Sequence, residues 1–144
     1  MTKILGFLFL TMLAFTACDD HNHNHEDDED PAYSIMVMNP TIDARTLNDS
    51  MHIHVNFDSE TKSTIHHINV NITNIEDDSE LFNMPSEAHV HDESGHYEFH
   101  ADFNITEANG FEADATYLFQ AKVWGHEAGK WETTSEVQFV VNPE

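Results

Sequence analysis

The chain has 144 residues and carries 27 Asp plus Glu against five Lys plus Arg, a formal net charge of −22. So few basic residues exclude nucleic acid as a partner, because binding a phosphate backbone needs a clustered basic face, and they make cations the natural counterpart. One cysteine allows no disulfide within the chain, so the fold must rest on its hydrophobic core.

Lys3 precedes an almost unbroken apolar run from Ile4 to Phe15, and Thr16-Ala17-Cys18 follows. One basic residue, about a dozen apolar ones and small residues at the end form a secretory signal, and the run is too short to span a bilayer. The end of this segment resembles the lipobox of bacterial lipoproteins, with Phe15 where leucine is usual. The resemblance implies that residues 1–17 are a signal peptide and that Cys18 is acylated, anchoring the protein to the membrane through lipid. Losing Lys3 with the leader leaves four cations against 27 acids, a net charge of −23.

Residues 18–30 are then a lipidated cysteine and its tether. Asp19 to Asp30, DDHNHNHEDDED, contains no aliphatic or aromatic residue and cannot bury anything, so disorder is expected. An acidic run directly after the lipid cysteine resembles the export signal of lipoproteins displayed on certain Gram-negative outer membranes. A surface-exposed outer-membrane location is the expectation. His21, His23 and His25 in the tether are secondary metal candidates, since short His-rich tracts capture ions; a solvated spacer is the plain alternative.

From residue 31 to 144 the composition changes to apolar segments that alternate with polar residues and are separated by polar turns. Seven strands are expected, near 33–38, 51–57, 66–74, 80–83, 96–105, 116–124 and 136–141. Met51, Ile53, Val55 and Phe57 face one way while His52, His54 and Asn56 face the other. One wet face per strand is the pattern of antiparallel sheets packed as a sandwich, and about 110 residues suit one such domain. Over residues 111–141, the segment Ala115–Trp124, the glycine-containing turn and Val137–Val141 resemble the last hairpin of fibronectin type III and other immunoglobulin-like domains. That resemblance implies a seven-stranded immunoglobulin-like sandwich with Tyr117 as its corner tyrosine. The same hairpin, with His126 in its turn, resembles that of periplasmic copper-resistance sandwich proteins.

Ala88–Ala101, AHVHDESGHYEFHA, packs His89, His91, His96 and His100 into a short stretch. Its His-x-Glu-x-His end differs from the zinc-protease helix, where glutamate follows the first histidine directly, and its period of two marks a strand. In the expected fold the loops after the second, fourth and sixth strands share one end. They would bring His66, His67, His89, His91, His96 and His126 together as ligands for zinc or copper, ions that imidazole suits. His52, His54 and His100, on neighbouring strands, form a second candidate group on a sheet face. No Asp-x-Asp-x-Asp-Gly loop points to calcium.

Catalysis is not expected. The chain has no Gly-x-Ser-x-Gly elbow and no phosphate-cradling glycine loop. Histidine pairs on a sandwich resemble copper–zinc superoxide dismutase, but its disulfide and glycine-rich loops are missing. The reading is a surface-anchored lipoprotein with a metal-binding loop end. The alternative is a metal-free interaction module that binds protein or glycan through the same loops, with Trp124 and Trp131 as contacts.

Overall fold

The computed structural model describes residues 30–85, 88–127 and 129–144. Cys18 and the histidines of the tether lie outside these residues. The strands are β1 (Tyr33–Asn39), β2 (Arg45–Thr46), β3 (Ser50–Ser59), β4 (Ile65–Asn74), β5 (Glu80–Met84), β6 (His89–Asp92), β7 (His96–Asn104), β8 (Thr116–Trp124) and β9 (Thr133–Asn142). A single 3-10 turn, Glu107–Asn109, links β7 to β8 among the described residues. No described helix is long and apolar enough to cross a membrane.

The strands form two sheets. One is β1-β3-β7, and the other runs β2-β9-β8-β4-β5, with β6 also on β4. Apart from the parallel β2–β9 pair, the neighbours are antiparallel. With β1, β3, β4, β5, β7, β8 and β9 taken as strands A, B, C, C′, E, F and G, A-B-E faces G-F-C-C′. This is an immunoglobulin-like sandwich.

Alternation builds its core. Met51, Ile53, Val55 and Phe57 of β3 meet Ile68, Val70 and Ile72 of β4 and Tyr117, Phe119, Ala121 and Val123 of β8, all buried. The hydrophobic effect drives this closure, since each large side chain contributes about 1.5–3 kcal/mol when fully buried.

Each of the seven expected strands is present, and the last begins at Thr133 rather than near 136. Two strands were not expected. Arg45–Thr46 is only two residues long and lies parallel to Val141–Asn142 at the end of β9. His89–Asp92 has no apolar alternation to announce it and exists because it completes the edge of β4. There β5 pairs with Val70–Thr73 and β6 with Ile65 and His67.

Tyr117 is fully buried, its ring 4.7 Å from that of Phe111 and 5.7 Å from that of Phe139 between centroids. Its hydroxyl accepts the Glu112 backbone N–H at 2.7 Å, five residues upstream, which is the corner geometry. Tyr117→Phe removes this bond and should cost about 1 kcal/mol, seen as a lower denaturation midpoint with an unchanged slope.

Candidate metal centre

Two consecutive residues of a strand normally point to opposite faces. His66 and His67 do not. Ile65 and Ile68 are both buried, the two histidines between them are half-buried, and the pairing of β4 with β6 shifts register between Ile65 and His67. Ile65 to His67 is two residues where Asp92 to His89 is three, so the extra residue of this β-bulge lies on β6. On β4 the alternation breaks between the two isoleucines, and the rings of His66 and His67 lie 6.2 Å apart between centroids.

Strand β6 brings the next two. His89 pairs with His67 in register, and their rings lie 5.1 Å apart. His91 has φ +53°, a left-handed conformation uncommon for a residue with a side chain. Its ring lies 5.0 Å from that of His66 and 5.8 Å from that of His89. The β8–β9 turn adds His126, 5.0 Å from His66 on the same measure.

His66, His89 and His91 each offer a nitrogen, and the three lie within 4.8 Å of one another. Nδ1 of His66 and Nδ1 of His91 are 3.3 Å apart. Two nitrogens bound at about 2.0–2.1 Å to one tetrahedral ion are separated by about 3.3 Å. The cluster thus has, at one pair, the nitrogen spacing of a zinc site.

The surroundings of His66 favour its neutral, ligating form. Burial, and then the neighbouring His91, His126, His67 and His89, hold the pKa of His66 below its ordinary value. Glu93 lies 3.4 Å from Nε2 of His91, while Nδ1 of the same ring faces His66. His67 is fixed differently. Its Nδ1–H donates to the Gly125 carbonyl at 3.0 Å, and its ring stacks on Trp124 at 5.2 Å with 6° between planes. Nε2 of His67 is left with the lone pair.

His96 is not brought to this cluster. It begins β7 on the other sheet, where Asp58 stands opposite, 2.7 Å from its Nδ1, and Glu98 lies 3.5 Å from its Nε2. The hydrogen bond to Asp58 raises its pKa, which favours imidazolium over a metal ligand. The five other histidines of the expected loop-end group do come together. His52, His54 and His100 share the outer face of β3 and β7, with His54 directly opposite His100. Glu98 joins them as a donor, a role for which sequence spacing gave no sign, although it follows two residues after His96 on the same face.

No family model matches the chain, and no curated protein does. Among solved structures it is similar to the CARDB domain of PF1109 from Pyrococcus furiosus, solved in complex with di-metal ions. That match has 13% identity and a TM-score of 0.48, over 81% of this chain and 97% of that one. A Niemann-Pick type C2 protein from Japanese carpenter ant is 9% identical with a TM-score of 0.48, over 79% of this chain and 94% of that one. A β-glucosidase from Listeria innocua in complex with glucose is 13% identical with a TM-score of 0.42, over 79% of this chain and 17% of that one. At these values the likenesses carry nothing about chemistry, which rests on the chain's own side chains.

Proposed function

We propose that this protein is a lipoprotein, anchored through Cys18 in a bacterial outer membrane and exposed at the cell surface, whose histidine-rich end binds zinc or copper. The observation that carries the metal reading is the 3.3 Å separation of the His66 and His91 nitrogens, with His89 close enough to supply a third ligand. His126 or His67 stands ready for the fourth position. Imidazole suits both ions, and no thiolate stands among the donors. A net charge of −22 concentrates cations near the surface and so favours capture.

The interaction-module reading has less to support it. One face of Trp124 is covered by His67, and Trp131 packs against the core with the Lys130 ammonium 4.0 Å from its ring centroid. Neither indole is a bare contact surface.

Calorimetric titration with zinc tests the metal reading on the full chain, with His21, His23 and His25 replaced by alanine so that the tether adds no binding. His89→Ala with His91→Ala should remove one zinc equivalent per chain, while His52→Ala with His54→Ala should leave that equivalent in place. Unchanged stoichiometry and affinity in the His89/His91 variant would sink the site. For the anchor, Cys18→Ser should move the protein from the membrane fraction to the soluble one, since several acyl chains supply about 0.8 kcal/mol per buried CH₂. A Cys18→Ser protein that still needs detergent for extraction would refute lipidation.

A further inference from the structure

The outer face of the three-stranded sheet carries a second set of donors, independent of the end cluster. His54 and His100 are directly opposite in the β3–β7 register, their rings stacked 4.2 Å apart with 28° between planes. His54, Glu98 and His100 each present a donor atom, and the three lie within 4.8 Å of one another. Asp102 stands opposite His52, two pairs along on the same face.

The hydrogen bonds set the tautomers in sequence. An ionised carboxylate only accepts, so Nδ1 of His52, 2.8 Å from Oδ1 of Asp102, carries the proton. When His52 carries that proton alone, its lone pair is on Nε2 and accepts from Nδ1 of His100 at 3.2 Å. His100 is left with its own lone pair on Nε2, facing Oε2 of Glu98 at 3.6 Å. Two acceptors thus face each other, at a spacing too long for a good hydrogen bond. Ligand bonds of about 2.0–2.1 Å span such a gap at an angle near 120°. The nearby Nε2 of His54 is buried without a hydrogen-bond partner.

No lysine or arginine is paired with this carboxylate among the described residues, and its other oxygen faces Nε2 of His96 at 3.5 Å. Lys122 pairs with Glu132, Lys130 with Glu127, and Arg45 bonds Asn39 and Thr41. Glu98 meets only imidazoles.

We infer that His54, Glu98 and Nε2 of His100 hold a divalent transition-metal ion of the zinc class, with Asp102 and His52 as positioning residues. Asp102 acts through His52 to fix which nitrogen of His100 is free, as outer carboxylates do in histidine metal sites. Water completes the coordination on this exposed face.

Zinc titration of the full chain by calorimetry and native mass spectrometry tests this, with His21, His23, His25, His66, His89 and His91 replaced by alanine. One zinc per chain should remain. Adding His54→Ala and His100→Ala should abolish it, and Glu98→Gln should weaken it more than tenfold. Asp102→Ala should weaken it about 10- to 100-fold while lowering the apparent pKa of binding, a change that loss of a purely structural contact would not produce. Circular dichroism of the zinc-free variants checks that each is folded, and Glu98→Gln, on an exposed side chain, preserves the fold if the double alanine variant does not. No zinc bound to the parent chain, or binding indifferent to Glu98→Gln and to the loss of His54 and His100, overturns the inference. The outcome is separable from that at the end cluster. Should only the end cluster fail, His54→Ala with His100→Ala in the otherwise intact folded domain would remove all zinc.

Discussion

Zinc at a hundred times its Kd should raise the melting temperature by on the order of 10 °C at pH 7.5 and by almost nothing at pH 5.5. The chain for this measurement has alanine at His21, His23, His25, His54 and His100, so that only the end cluster binds. A ligand taken up by the folded state alone stabilises it by RT ln(1 + [L]/Kd), about 2.7 kcal/mol at that ratio, and a domain of this size gains several degrees per kcal/mol. Protons compete for the same nitrogens. Free imidazole changes charge near pH 6.5, between the two conditions, and only the neutral ring binds the ion, so proton competition is far stronger at pH 5.5. Affinity falls steeply, and the gain disappears.

The zinc-free baseline moves as well, so the gain is the difference between loaded and empty protein at each pH. Because the folded-state pKa of His66 is lowered, the unfolded chain binds more protons around its ordinary value. Stability from this residue is full above about 6.5 and is lost as pH falls through the folded value. His96 has the opposite sign: its raised pKa contributes stability below about 6.5 that is lost as pH rises through the folded value. His96 and Asp58 are each about half exposed, so solvent screening keeps that contribution small. A melting gain equal at both pH values would argue against imidazole ligation.

Phe119→Ala should destabilise the domain by about 3–5 kcal/mol, the largest effect expected of any single substitution here. Phe119 is fully buried at the middle of β8, in register with Ile72 on one side and Val137 on the other. Its loss removes both transfer energy and packing, because neighbours in a β-sandwich are tied to their strands and fill a cavity only partly. No disulfide holds the described sandwich together, so a domain with the usual stability of 5–15 kcal/mol would lose a large share of it. Urea denaturation measures this directly. A loss below about 1 kcal/mol would mean that the two sheets do not pack across this residue.

The strands were legible because Met51 to Phe57 and Ile68 to Ile72 alternate with polar neighbours, and alternation is all that a sheet with one wet face requires. Tyr117 was placed by resemblance instead, because Ala115–Trp124 is similar to the last hairpin of immunoglobulin-like domains, whose corner carries a tyrosine. The short β6 could not be read this way. His89–Asp92 has little apolar surface of its own and is held by the free edge of β4, a partner distant in sequence. The break in alternation on β4 had a visible trace in Ile65-His-His-Ile68, where two core residues stand three apart instead of two. The bulge itself left none, because its extra residue lies on β6, where His89–Asp92 has no alternation to interrupt.

Composition by itself determined that the chain is acidic, without disulfides and rich in imidazole, and periodicity determined that its histidines ride on strands and turns of a sandwich. Both follow from properties that each residue carries wherever it sits. Which histidines meet depended on register and bulges. Those placed His66 against His91 and turned His96 toward Asp58. They also set Glu98 and Asp102 beside His100 and His52, because donor atoms are shared only over a few ångströms and that spacing is set by strands far apart in the chain.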